Sequence, residues 1–133
     1  MFEYRAKLVK VVDGDTIDLD IDLGFNIHIR ERVRLYGVNT PEVRGSEKKS
    51  GMAAKAFVKW WLQVDKGPIM VRTVKDKRGK FGRMLAILFH ESDMLERHTK
   101  VEKVGAYGDF VGGSLNQDLL DKGFAKEYYG GKK

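Results

Sequence analysis

The chain has 133 residues, and its 25 Lys and Arg against 19 Asp and Glu give a formal net charge of +6. This length predicts a single domain over residues 1–133, and the absence of cysteine excludes disulfide bonds and thiolate metal ligands. No apolar run approaches the roughly 18 residues of a spanning helix, and no signal peptide is apparent. We therefore expect no membrane partner, and a cytoplasmic protein if the chain is full length. The positive charge favours a polyanionic partner such as nucleic acid.

The first half of the chain predicts a β-hairpin that follows a short strand at Lys7–Val12. After the turn at Asp13–Asp15, apolar and acidic residues alternate without error over Ile17–Leu23, which is typical of a half-buried strand. Gly24–Asn26 predicts a three-residue turn, and Ile27–Leu35 carries basic residues on the face opposite its apolar ones.

The two faces of this hairpin predict one register, because opposed residues of an antiparallel pair share a face. The expected pairs are Leu23 with Ile27, Ile21 with Ile29, Asp22 with His28, Asp20 with Arg30, Asp18 with Arg32, and Thr16 with Arg34. Glu31 then falls on the apolar side, opposite Leu19, which predicts either a bulge or an exposed edge.

A helix is predicted from Ser50, as its N-cap, to about Val64. Its expected apolar stripe consists of Ala53, Phe57, Trp60, Trp61 and Val64. The helical spacing favours a core-facing stripe over a stacking platform with two tryptophans.

Two further strands are predicted at Ile69–Val74 and Met84–Phe89. Five of the nine residues between them, 75–83, are basic, which suits a solvated loop and a phosphate-contacting loop equally. The polar stretch 90–113 contains histidines and carboxylates without a regular ligand spacing, which favours a mobile or hairpin insertion over a metal site.

The end of the chain predicts a short helix and a last strand. Ser114–Gln117 matches a capping box, Gly123 closes the amphipathic helix, and Phe124–Tyr129 is strand-like. Short strands, a helix between the third and fourth, and a small helix near the C-terminus predict a mainly β (α+β) protein with a five-stranded Greek-key barrel.

The stretch Arg34–Glu42 predicts a functional site at the end of a strand. It presents a guanidinium, an amide, a hydroxyl and a carboxylate, and Pro41 stops regular pairing. A charged strand end that enters a loop is a common position for a site, although Thr-Pro-Glu is also an ordinary beginning of a helix or turn.

Four segments in order resemble the staphylococcal nuclease (thermonuclease) family: Val12–Thr16, Arg34–Glu42, Lys80–Arg83 and Lys122–Ala125. The match covers most of residues 7–129. The resemblance implies an OB-fold and calcium-dependent hydrolysis of DNA and RNA, with one bound ion. We expect single strands to be preferred; the sequence does not determine the oligomeric state, for which a monomer is the default.

The resemblance also implies a role for each matched residue. Asp15 would be a carboxylate ligand of calcium, and Thr40 a ligand through its backbone carbonyl. Glu42 would activate or orient the attacking water, and Arg34 and Arg83 would place guanidiniums on the scissile phosphate. Lys80, Phe81 and Tyr129 would be the residues that bind substrate.

Three departures from the family's pattern affect these expectations. Asn39 stands where the family usually has a second calcium carboxylate, and an amide oxygen ligates calcium without adding charge. Phe81 replaces a tyrosine, so that stacking survives while a hydrogen bond is lost. The family's C-terminal helix is expected to be absent, and Tyr129 aligns with the substrate-stacking tyrosine close to the end of the chain.

The residue types suit phosphodiester hydrolysis without reference to a family. The reaction needs an oxygen-ligated divalent ion, a carboxylate base near the water, and planar donors for the growing phosphoryl charge. The alternative is an OB-fold module that binds single strands without cutting. The set Asp15, Arg34, Glu42 and Arg83 favours the nuclease, and Asn39 favours the alternative.

Overall fold

The computed structural model describes residues 3–64, 67–78, 84–92, 101–104, 108–111 and 113–128. The strands are β1 (Glu3–Asp13), β2 (Thr16–Asp22), β3 (His28–Leu35), β4 (Val38–Asn39), β5 (Ile69–Arg78), β6 (Met84–His90), β7 (Val101–Val104), β8 (Gly108–Val111) and β9 (Lys126–Glu127). The helices are α1 (Lys48–Gln63), which a 3-10 turn at Gly45–Glu47 precedes, and α2 (Leu115–Asp121).

Five strands form a closed, mixed barrel in the order β1-β2-β3-β6-β5. β1 pairs antiparallel with β2 and with β5, and β6 pairs antiparallel with β5 and parallel with β3, which closes the sheet. Helix α1 connects the third and fourth barrel strands. The mainly β, α+β class and the five-stranded OB-like barrel are therefore confirmed.

The predicted register of the β2–β3 hairpin is also confirmed, from Thr16 opposite Arg34 to Asp22 opposite His28. Glu31 lies opposite Leu19 without a bulge, and in the described part of the chain β3 pairs with β6 only from Val33 onward. Of the two predicted explanations for Glu31, a bulge or a strand edge, the structure therefore shows the edge. Strand β1 is longer than predicted and contains two irregularities in its pairing with β2.

One cross-strand ion pair fixes the exposed face of this hairpin. Arg32 donates from Nε and Nη2 to the two carboxylate oxygens of Asp18, at 2.8 and 3.1 Å. The hydrogen bond from Arg32 holds the pKa of Asp18 below its usual value. Asp20 opposes Arg30 as predicted, but its carboxylate lies 3.2 Å from His28 Nδ1.

We expect Arg32→Ala to lower the free energy of unfolding by no more than about 1 kcal/mol at neutral pH, because the pair is partly exposed. Since the folded-state pKa of Asp18 is depressed, this contribution is present above the unfolded-state value of about 3.9 and is lost as the pH falls through the folded-state pKa. Urea unfolding of parent and variant along a descending pH series measures the difference. A gap that stays constant down to the lowest pH would contradict the prediction.

Helix α1 begins two residues before Ser50, so the predicted N-cap is wrong. The 3-10 turn leads directly into the helix, with the Lys48 N–H donating to the carbonyl of Gly45, and no side chain caps it. The turn makes a cap at Ser50 unnecessary, and Ser50 lies exposed within the first helical turn.

The prediction of which α1 residues face the core is also wrong. The buried residues are Gly51, Ala54, Val58, Trp61 and Leu62. Ala53 is exposed and Trp60 is 61% exposed, so two members of the expected stripe face away from the core. Both stripes have spacings of three and four residues, so spacing alone does not determine which of them is buried.

Helix α2 begins as predicted, with Ser114 Oγ accepting a hydrogen bond from the Gln117 N–H at 3.0 Å. The Gln117 side chain donates to Asp121, so the reciprocal half of the capping box is not observed. Buried Asn116 fixes α2 to the barrel, because it accepts from the Leu88 N–H and donates to the carbonyls of Tyr36 and Ala86. 

After α2 the chain turns back towards β4. Gly123 adopts a φ of 77°, and β9 pairs antiparallel with β4.

Within the predicted insertion at 90–113, β7 and β8 pair as an antiparallel hairpin. His90 belongs to barrel strand β6. In the described ranges, no helix combines the length and the apolar character needed to cross a bilayer.

Candidate functional site

Arg34, near the end of β3, is the centre of a buried polar cluster. It is only 6% exposed, and Nη1 donates to the carbonyls of Leu35 and Val38 at 3.1 and 2.8 Å. Nη2 donates to Asn39 Oδ1 at 3.2 Å and lies 3.5 Å from Asp15 Oδ2. The guanidinium therefore joins the two side chains that were expected to ligate calcium.

Asp15 connects the β1–β2 turn to this strand end. Its Oδ2 accepts from the Thr40 N–H at 3.1 Å and its Oδ1 accepts from Thr16 Oγ1 at 3.0 Å. Its backbone carbonyl accepts from the Leu35 N–H at 2.9 Å. A carboxylate only 4% exposed is held here by hydrogen bonds and by a cation, as burial of charge requires.

Gly14 permits the close approach of this turn to Thr40. A Cβ at Gly14 would lie 2.9 Å from the Thr40 side chain and 3.0 Å from the Cβ of Ala54. The hydroxyl of Thr40 is buried and has no hydrogen-bond partner among the described residues. A water or ion in this position would satisfy it.

Calcium prefers oxygen ligands, and the side-chain oxygens of this cluster are those of the Asp15 carboxylate and the Asn39 amide. Nη2 of Arg34 already contacts both side chains. Among the described residues, no group of three or more His, Asp and Glu is arranged so that it could hold a metal ion.

A cavity of about 330 Å³ opens beside this cluster. Its lining residues are Asn39, Thr40, Pro41, Glu42, Glu47, Gly123, Phe124, Ala125 and Lys126. Glu42 thus faces the same space as two of the expected calcium ligands. In the described part of its wall, the cavity also has a second carboxylate, Glu47, and a cation, Lys126.

Helix α1 supports the backbone of Glu42 through Gly51. A Cβ at Gly51 would collide with the carbonyl of Glu42 and would lie 2.8 Å from the Val43 nitrogen. Only a residue without a side chain allows this buried helix position to contact the 42–43 main chain.

We expect Gly51→Ala to lower the free energy of unfolding by about 1–3 kcal/mol, although alanine is the better helix former. The segment that carries Glu42 must then move away from α1. Urea unfolding measures the effect, with Ser50→Ala on the exposed face as control. Improved stability in Gly51→Ala, as helix propensity alone predicts, would contradict this packing.

The structure brings together five of the nine residues predicted for the site. Arg34 contacts Asp15 and Asn39, Asp15 contacts Thr40, and Glu42 shares the adjoining cavity. The remaining four, Lys80, Phe81, Arg83 and Tyr129, lie outside the described residues, and their roles stay predictions.

The contact between Tyr128 and Arg34 was not predicted from the sequence. The Tyr128 ring lies over the guanidinium of Arg34, 5.0 Å from Cζ, and the Tyr128 N–H donates to the carbonyl of Gly37 at 2.9 Å. The available signal was a pair of adjacent tyrosines after a short strand, which does not indicate which ring turns inward. Lys126 was missed similarly, because its pairing with Asn39 in β4 and β9 places it at the cavity. Phe124 was also missed; it stacks on Phe57 of the distant helix α1.

Fold and site together define an OB-like barrel protein with a carboxylate–guanidinium cluster at the end of β3. No family model matches the chain. The chain is similar to the uncharacterized protein MJ1439 of Methanocaldococcus jannaschii, with 26% identity over 144 aligned positions that cover 94% of this chain and 59% of the relative. The chain therefore spans about three fifths of the length of that relative.

Proposed function

We propose that the chain is a calcium-dependent nuclease that resembles staphylococcal nuclease and hydrolyses phosphodiester bonds of DNA, RNA or both. The observation that supports this most is that Asp15, Asn39 and Thr40 lie together at the end of β3, beside a cavity that Glu42 lines. Two segments that are far apart in sequence place there the residue types that the reaction requires.

Asp15, Asn39 and the backbone carbonyl of Thr40 would hold one calcium ion. When bound, the ion supplies Lewis-acid polarisation of a phosphoryl oxygen. The chain contributes ligands that are already positioned, because hydrogen bonds from Thr16, Thr40 and Arg34 fix both side chains before an ion arrives.

Glu42 acts as the general base in this proposal. Its side chain is exposed and lines the cavity, where a carboxylate can accept a proton from a water that attacks phosphorus. Lys126, on the same cavity, attracts the phosphate backbone.

The role of Arg34 in this proposal is to position the ligand oxygens, because both of its Nη atoms already donate hydrogen bonds within the protein. Arg83 is the residue proposed to donate both arms of its guanidinium to the phosphoryl oxygens as charge develops on them. Lys80, Phe81 and Tyr129 are proposed to bind the flanking nucleotide.

Degradation of single-stranded DNA and of RNA with calcium, with magnesium and with chelator tests the function. We expect cleavage with calcium and none with chelator. Equal cleavage in chelator would contradict the role of the ion, and intact strands under all three conditions would contradict the nuclease.

The second candidate is an OB-fold module that binds single strands without cutting. Two observations favour it: Asn39 lacks the charge of a carboxylate, and the Nη donors of Arg34 point into the protein. Strands that bind the protein but stay intact at every calcium concentration would establish this alternative.

We expect Asn39→Asp to lower the half-saturating calcium concentration by about tenfold, because calcium affinity follows the number of charged ligands. Contact with Arg34 keeps the new carboxylate in the same position as the amide. Calcium titration of activity measures the effect, and Asn39→Ala is the control that removes the oxygen. Unchanged half-saturation in Asn39→Asp would mean that the ion binds elsewhere.

A further inference from the structure

Three aromatic rings form a continuous row that leads away from the Glu42 cavity. Phe124 lines that cavity, and Phe57 stacks on it with ring centroids 4.8 Å apart. Trp60 follows, with its ring centroid 5.8 Å from that of Phe57. The row thus connects the candidate active site to the surface of α1.

Trp60 is exposed at the end of this row, whereas the adjacent Trp61 belongs to the core. Trp61 is 5% exposed, stacks on His90 at 4.0 Å and donates from Nε1 to Asp118 at 2.8 Å. Trp60 is 61% exposed. Packing accounts for the position of Trp61, but it does not account for a large aromatic surface of Trp60 left in solvent.

Two lysines lie close to Trp60. Trp60 and Phe57 line a groove of about 250 Å³ that also contains Lys122 and Asp118. The Asp118 carboxylate accepts the Trp61 indole N–H and keeps its negative charge, whereas Lys122 is a cation of the described groove lining that a phosphate can contact. Lys59, next to Trp60 in α1, is also exposed.

We propose that a single-stranded polynucleotide bound at the Glu42 cavity continues past Phe124 and Phe57, and that one of its bases stacks on Trp60. Lys122 contacts the phosphate backbone at this second subsite. The inference depends on the proposed function, because it takes nucleic acid as the ligand.

Single strands fit this row better than duplexes do. Stacking on an aromatic side chain requires an unpaired base with a free face, and such stacking tolerates any sequence. A duplex keeps its bases stacked on each other and offers only its backbone to the groove. The row therefore predicts that affinity rises with strand length until a strand reaches Trp60.

The test uses the chain with Glu42→Gln in every variant, so that strands are cut too slowly to change during a binding measurement. Fluorescence anisotropy in calcium buffer gives the Kd for labelled oligothymidylates of about 3 and about 12 nucleotides, lengths within and beyond the cavity. We expect Trp60→Ala to raise the Kd of the long strand at least about fivefold and to leave that of the short strand unchanged, with Trp60→Phe in between. Phe25→Ala removes another exposed aromatic, 97% exposed at the β2–β3 turn, and should change neither Kd.

The outcomes separate this inference from the proposed function. If Trp60→Ala binds the long strand as the parent does, the inference is wrong, while the cavity can still bind and cut. Equal weakening on both strands would also overturn it, because Trp60 would then act through the fold of the cavity. If Trp60→Ala abolishes self-association of the chain without changing either Kd, the face is a protein contact. If no variant binds either strand, both proposals fall.

Discussion

Turnover on single-stranded DNA is expected to fall by about 10²–10⁴-fold in Glu42→Gln, because an amide cannot accept the proton of the attacking water. The side chain is exposed, so the free energy of unfolding should change by less than about 0.5 kcal/mol. Steady-state kinetics with calcium and urea unfolding of the same preparations measure the two quantities.

Glu47→Gln is a matched control, since it neutralises a second exposed carboxylate on the same cavity. If the general effect of negative charge at the cavity controlled turnover, both variants would lose activity alike. Full activity in Glu42→Gln, or equal losses in the two variants, would remove Glu42 from the role of base.

Stability is expected to fall by about 3–5 kcal/mol in Arg34→Met, the usual cost when one partner of a buried ion pair is removed. The substitution keeps much of the side-chain volume, but it takes the nearby cation from the Asp15 carboxylate and the Arg34 hydrogen bonds from the carbonyls of Leu35 and Val38. Activity should fall as well, because Asn39 and Asp15 lose the group that joins them.

Arg32→Met tests the same change two residues earlier on β3. The Arg32 side chain is 52% exposed and pairs with Asp18, so its loss should cost no more than about 1 kcal/mol. Urea unfolding of the two variants gives the comparison. Equal losses would show that the buried contacts of Arg34 contribute nothing beyond those of a surface pair.

Local patterns determined the β2–β3 hairpin from sequence. Aspartates on one strand and basic residues on the next alternate with apolar residues, and a one-residue slip would move every side chain to the wrong face. Ser114 could be identified as a helix cap for a similar reason, since its hydroxyl and the Gln117 N–H belong to one local motif. Such features need only neighbours in the sequence.

Much of the candidate site could also be expected from sequence, because Asp15 and the Arg34–Glu42 stretch carry the residue types that the chemistry needs. The contacts between these residues could not be predicted from the sequence. The sequence suggested that Arg34 serves the substrate, whereas the fold buries it and directs its Nη atoms to the protein. Which partners a guanidinium finds depends on what β3 and the β1–β2 turn bring within about 3 Å of it.

Helix α1 shows what the tertiary structure alone decided. Its sequence determined that a helix with an apolar face would form, since two stripes offset by one residue both have helical spacing. The choice between them came from outside the helix: Gly51 alone fits against the Glu42 backbone, and the Trp61 indole finds Asp118. Periodicity fixes the spacing of a stripe, but only packing against distant residues fixes its phase, and that phase leaves Trp60 at the surface.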